Sequence, residues 1–313
     1  MTISVSAGSG DTAKAESATP PVPGGLGRQW SVCGASVTGR EHRKNGLGCD
    51  DAFAYGTMGD FVVAAVADGA GSVTQTSAWG SHTVCGGVVA DVLTPWFAER
   101  FASIEGDGQA AEDLMESLFR HALGRLRHRA EYYGQPLGEL ATTLAVALAR
   151  PGLAVFGQIG DGIIAVERTG CVETILVEKK AEYANLTWFV QSDNAFADSF
   201  RTHTATDVTA FALSTDGMSY KITDIPTGAA FVPFFQGAWS SLAAGLRDED
   251  FAQWLDSIEE DQTEDDKTLV LARLQCSAES GSVFGASLTR RVSSRWPAIT
   301  PLRPPVTESA AEG

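Results

Sequence analysis

The chain has 313 residues, 44% of them hydrophobic and 20% charged, with a formal net charge of −16 at neutral pH. That length and apolar share suffice to bury a full core, in one large domain or two small ones. The acidic balance argues against a nucleic-acid backbone or an anionic membrane surface as the main partner. With no N-terminal apolar leader and no run of about 18 apolar residues, we expect neither membrane spanning nor export, and a cytoplasmic location.

Residues 1–27 are rich in Ser, Ala, Thr, Gly and Pro without apolar periodicity, which predicts a flexible tail. Two runs, Ala52 to Tyr55 and Phe61 to Ala67, flank a Gly-Asp turn and read as strands. Ser77 to Leu93 is an apolar helical candidate. Ala111 to Tyr133 is an amphipathic one, with Leu114, Leu118, Ala122, Leu126 and Ala130 on one stripe and Arg120, Arg125, Arg127 and Arg129 over much of the rest.

Next, ATTLAVALA and LAVFGQI flank a turn at Gly152 and predict a hairpin. GIIAVE and CVETILV, around Arg168-Thr169-Gly170, are expected to extend it into a meander. The run AFALST follows, then a short helix over Asp248 to Ile258 that carries Phe251, Trp254, Leu255 and Ile258 and keeps acids in its first turn, where the helix dipole favours them. KTLVLA is the last clear strand. From 277 to 313 the chain turns to Ser, Gly, Arg and Pro and is expected to be a tail with partial order at most. Residues 28–276 therefore form a single domain. Antiparallel strand signals with helices in separate blocks point to an α+β fold, a four-layer α/β/β/α sandwich of two mainly antiparallel sheets flanked by helices.

The acids sit at the ends of these runs. Asp68, Asp161 and Asp216 follow strands, whereas the pairs Asp50-Asp51 and Asp265-Asp266 precede them. In an antiparallel sheet the start of one strand lies beside the end of its neighbour, so both sets can meet at one edge. Asp-Gly is a good turn dipeptide by itself, but turn chemistry does not account for acids on both sides of the strands. Two carboxylates about 4 Å apart repel by roughly 4 kcal/mol at an effective dielectric near 20. The cluster therefore calls for cations, and all-oxygen ligands suit Mg or Mn. Cys33, Cys49, Cys85, Cys171 and Cys276 are odd in number and lack a C-x-x-C pair, which predicts reduced core thiols. No cysteine-phosphatase loop, G-x-S-x-G elbow or Walker loop is found.

GCDDAFAY, VADGAGS, ELATTLAVAL, IGDG, STDG and DDKTLVLA occur in that order. With them the chain resembles the metal-dependent protein phosphatases of the type 2C (PPM) family, from about Ser31 to Leu274. A G-x-x-H segment at Gly39 to His42 and the stretch Tyr183 to Asn185 resemble a divergent bacterial branch. The resemblance implies a Mg- or Mn-dependent phosphoserine/phosphothreonine protein phosphatase that hydrolyses phosphomonoesters with a metal-activated water. Its partners would be a phosphoprotein substrate and an opposing Ser/Thr kinase. It makes Asp51, Asp68, the Gly69 carbonyl, Asp216 and Asp265 ligands of two ions, with Asp265 preferred to Asp266. Asp50 would hold a metal-bound water, and Asp161 would help bind a third ion.

Two departures stand out. Ala70 replaces the usual His after Asp-Gly, and Gly46 and Leu47 lie where many members carry a phosphate-binding Arg. We expect His42 to supply the proton and Arg43 to contact the phosphate. Residues 181–201 read as a substrate flap, and Thr142 and Thr143 as structural. The competing reading is a non-catalytic binding or sensing module that keeps the metal sites. A dehalogenase-type phosphotransferase is disfavoured, since Asp68 is followed by Gly-Ala-Gly and the strands are antiparallel.

Overall fold

The computed structural model describes residues 28–70, 76–104, 108–177, 187–259, 262–276 and 288–292. In chain order the first half comprises β1 (Arg28–Val37), α1 (Arg40–Lys44), β2 (Ala52–Met58), β3 (Phe61–Ala67), α2 (Ser77–Val92), α3 (Pro95–Ala102), α4 (Gly108–Tyr133), β4 (Leu144–Arg150) and β5 (Leu153–Ile159). The second comprises β6 (Ile163–Arg168), β7 (Cys171–Ile175), α5 (Ala195–Asp198), β8 (Arg201–Ala205), β9 (Val208–Ser214), α6 (Ser219–Ile222), α7 (Val232–Ala243), α8 (Asp248–Ser257), β10 (Lys267–Cys276) and β11 (Leu288–Val292).

Strand β3 shows why the molecule is layered. All seven of its residues are buried, a pattern that requires cover on both faces of the sheet. Because side chains alternate along a strand, Phe61, Val63, Ala65 and Ala67 pack towards α2 and α4. Val62, Ala64 and Val66 pack on the other face, with Phe156, Phe211, Val166 and Val270. A third apolar cluster, centred on Phe235, Trp239, Phe251 and Leu255, fills the space between the second sheet and α7 and α8. Three cores between four layers give the expected α/β/β/α sandwich. Among the described residues no helix is long and apolar enough to cross a membrane.

The sheets run β11-β2-β3-β4-β5-β8 and β1-β10-β9-β6-β7, with every named pairing antiparallel. The expected meander is corrected here. The hairpins β4-β5 and β6-β7 both form, but they lie in different sheets, and β6 pairs with β9. The chain crosses between the sheets at Gly160-Asp161-Gly162, where Gly160 has φ +103°, a conformation open to glycine but strained for other residues. Strand signals in the sequence are local and say nothing about which sheet receives the next strand. The segment expected as a C-terminal tail supplies β11, which pairs with β2. The sequence reading also left out β1, which pairs along its whole length with β10. The expected N-terminal tail and Tyr183 to Asn185 lie outside the described residues.

The predicted helices all form. α2 is lined with small residues and buried almost throughout, and α4 lays Leu114, Leu118, Ala122, Leu126 and Ala130 on the core. The helix also buries one charge, on the side that the sequence reads as polar. The Arg125 side chain is only 5% exposed and pairs with Asp91, at 25%.

Removing one partner of such a pair strands a buried charge, at a cost of about 3–5 kcal/mol. Asp91→Ala is expected to fall near the lower figure, because Asp91 is partly solvated. Arg125→Met, which removes the charge and keeps the volume, should cost clearly less. Urea unfolding of the two variants with unchanged m-values checks the order.

Candidate metal centre

The described acids converge. Asp68 stands immediately after β3, Asp161 in the crossing between β5 and β6, and Asp216 at the start of a single 3₁₀ turn, Asp216–Met218, after β9. Asp51 precedes β2 and Asp265 precedes β10. Asp51, Asp216, Asp265 and Asp161 all act electrostatically on Asp68, so acids from both sheets share one edge of the sandwich. Asp51 is only 2% exposed.

Burial, more than any neighbour, pushes the Asp51 and Asp68 carboxyls well above the usual carboxylate range. The next contributions come from Asp266 and Asp265 for Asp51, and from Asp51 and Asp216 for Asp68. Asp50 and Asp265 are also raised, again first by burial. No nearby Lys or Arg figures among the causes that stabilise these four charges. Crowded hard-oxygen donors that repel one another, with only the His42 ring as a favourable charge on Asp50 and Asp265, are the donor set that a divalent oxygen-loving ion neutralises. The residues present therefore fit Mg or Mn.

Hydrogen bonds hold several of the acids and the loops that carry them. Thr215 Oγ1 donates to Asp51 Oδ2 at 2.7 Å, and Ser77 Oγ donates to Asp50 Oδ2 at 2.7 Å. Thr142 Oγ1 donates to the Asp68 carbonyl at 3.0 Å, and Thr143 Oγ1 accepts from the Asp68 N–H at 2.9 Å. Both threonines thus serve as backbone anchors for Asp68. Gly69 N–H donates to the Asp50 carbonyl at 3.2 Å, tying the two acidic loops together; a Cβ at Gly69 would lie 2.7 Å from that carbonyl oxygen. Thr187 Oγ1 donates to Asp161 Oδ2 at 3.1 Å.

Asp266 has a different environment. It is 3% exposed and accepts from Gly39 N–H and Asp50 N–H, each at 2.6 Å, and it lies 3.0 Å from His42 Nδ1. With both oxygens used inside the protein, it braces the loops. Burial, the largest single influence, would lower the His42 pKa, but Asp266 together with Asp50 and Asp265 outweighs it and the value is raised above 6.5. One ligand atom each from His42, Asp265 and Asp266 lies within 4.8 Å of the others. Arg43 sits elsewhere, paired with Asp256 at the surface, both about half exposed.

The sequence reading missed the bracing role of Asp266 and the hydroxyl partners Ser77 and Thr215. Only the acidic pair carried a signal, since single Ser and Thr residues are too common to stand out.

The family model described as Protein phosphatase 2C matches residues 38–256. The chain belongs to the protein phosphatase 2C family. Asp265 and Asp266 lie beyond the matched span, and the fold brings them to the same site. Serine/threonine-protein phosphatase 3 of Escherichia coli (strain K12) is 28% identical over 262 residues, which cover 78% of this chain and 98% of that protein. A point variant of a bacterial serine phosphatase superposes with a TM-score of 0.53 at 16% identity, over 80% of this chain and 100% of that one. The serine/threonine phosphatase Stp1 from Staphylococcus aureus gives 0.51 at 15% identity, over 83% and 100%. These likenesses agree on the fold.

The raised carboxyls fix the sign of a stability effect. Stability that the Asp68 carboxyl contributes in its neutral form below its ordinary value of 3.8 is lost as pH rises through the raised value. At pH 8 in chelator, Asp68→Asn is therefore expected to melt higher than the wild type, by roughly 2–4 °C per kcal/mol of repulsion relieved. With Mn added the order should reverse. Thermal unfolding with chelator and with metal checks both halves.

Proposed function

We propose that this chain is a Mg- or Mn-dependent phosphoserine/phosphothreonine protein phosphatase that hydrolyses phosphomonoesters with an activated water. The observation that carries this reading is the convergence of Asp51, Asp68, Asp161, Asp216 and Asp265 at one edge of the sandwich in a member of this phosphatase family. Two divalent ions, when bound, lower the pKa of a water and offset the charge of the phosphate. Asp51, Asp68, Asp216, Asp265 and the Gly69 carbonyl would hold the pair, and Asp161 would contribute to a third. Asp50, fixed by Ser77 and by its backbone bond to Asp266, would accept a hydrogen bond from the attacking water and hold it in line. No protein nucleophile takes part.

His42 would supply the proton to the leaving oxygen in place of the residue replaced by Ala70. Its Nδ1 is held by Asp266, which leaves Nε2 to donate. Arg43 would contact the phosphate by exchanging Asp256 for it. The exchange is cheap, since exposed pairs contribute about 0–1 kcal/mol. The substrate would be a phosphoprotein, with a Ser/Thr kinase as its counterpart and the cytoplasm as the compartment. Ala70 specifically favours the second reading, a non-catalytic module that keeps the metal sites.

Turnover separates the two readings. With Mn, the protein is expected to hydrolyse phosphothreonine peptides and p-nitrophenyl phosphate, and to lose both activities in chelator or with Asp216→Asn. Metal-independent turnover would contradict the chemistry, and retained Mn binding without turnover would favour the module. Nitrophenolate leaves without a proton and threonine does not, so His42→Gln should lower peptide kcat by about 10²-fold and spare the aryl phosphate. Equal losses on both substrates would remove His42 from proton transfer.

A further inference from the structure

Beside the acidic cluster lies a groove of about 440 Å³, within the usual range for ligand sites. Its lining includes Asp161 and Asp216, two acids of the metal centre, so the groove and the centre are continuous. The remaining walls come from β6, β7 and the residue Val177 beyond it, and from α6 with the loop that follows. Val177, Tyr220 and Ile225 line it while 44%, 48% and 47% exposed, an unusual grouping of large apolar side chains at a surface. Among the described residues no Lys, Arg or His lines the groove.

The walls are built in advance. Asp224 Oδ1 accepts from Thr227 N–H at 3.0 Å and from Thr227 Oγ1 at 2.6 Å, closing the loop on itself. Thr174 Oγ1 donates to the Gly228 carbonyl at 2.5 Å, fastening that loop to β7. A preformed apolar groove loses little conformational entropy on binding.

We propose that this groove receives an apolar side chain of the substrate, a few residues from the phosphorylated one, with Val177, Tyr220 and Ile225 as specificity-determining contacts. The inference rests on the phosphatase reading for the identity of its occupant. A phosphate at the centre places the rest of its own molecule at the groove mouth, and an extended peptide advances about 3.3 Å per residue. With no basic side chain among the described lining residues and a net charge of −16, the groove suits an aliphatic or aromatic side chain better than an acidic one.

The test uses fluorescent peptides carrying a non-hydrolysable phosphonate in place of phosphothreonine, with a single Leu moved from three residues before it to three after it and Gly elsewhere. In Mn, anisotropy titration should show Leu at one position binding about tenfold tighter than Gly, within the range for an added apolar group in such a pocket. Ile225→Asp and, separately, Tyr220→Ser should each remove most of that preference while leaving the affinity of the all-Gly peptide within about twofold. No positional preference, or one that survives both variants, overturns the inference. Hydrolysis of p-nitrophenyl phosphate by the wild type is measured alongside. A Leu preference without turnover sinks the phosphatase reading and supports the groove, whereas turnover without a preference does the reverse.

Discussion

Repulsion among buried carboxylates is the constraint around which the sandwich is arranged. Asp51 and Asp68 both have their charged forms disfavoured, first by burial and then by neighbouring acids. Nothing local to either residue would bring them together. They are held by cores that do not involve them: the layer between the sheets, with Val62, Val66, Phe156 and Phe211, and the two helix-covered layers outside. Burying one Val or Phe side chain is worth about 1.5–3 kcal/mol, and dozens of buried apolar residues outweigh a few unfavourable charges. The centre is thus a locally destabilised site held in place by the scaffold around it, as catalytic and binding constellations commonly are.

Asp266 makes that arrangement specific. Its carboxylate joins the start of β10 to the Gly39 turn, to the loop before β2 and to the His42 ring. Through this one side chain, segments more than 200 positions apart in sequence are fixed relative to one another. Thr215 does the same on a smaller scale between the end of β9 and Asp51. Asp50, Asp51 and Asp161 thus each accept from an uncharged hydroxyl, which positions them and leaves their charge for an ion to neutralise.

Much of this was legible in the sequence, for a definite reason. Strand ends carry their acids in fixed places, so the positions of Asp68, Asp161 and Asp216 after apolar runs, and of Asp51 and Asp265 before them, already encode a common edge once the strands are antiparallel. The stripe of α4 was equally plain, because period and burial coincide from Leu114 to Ala130. What stayed hidden depends on distant pairing. The passage from one sheet to the other at Gly160 reads locally as a turn, β1 and β11 owe their places to β10 and β2, and the bond between Asp266 and the Asp50 N–H spans 216 positions. Side-chain partners of this kind leave no periodic trace.

Ala70 brings these strands of argument together. Removing an imidazole beside Asp68 deletes the obvious proton source from the β3 side of the centre, yet the β10 side holds a histidine oriented by a buried carboxylate. Burial works against a charged ring, and Asp266 with Asp50 and Asp265 overrides it, so His42 keeps its proton to higher pH than a free imidazole would. That placement ties any proton transfer to the loop that carries Asp265. In the proposed reaction the side chain that orients the donor is adjacent in sequence to one that would hold an ion, so a shift of this loop would disturb both functions at once. A donor beside Asp68 would leave the two separable; here the geometry of Gly39, His42 and Asp266 makes them one mechanical unit.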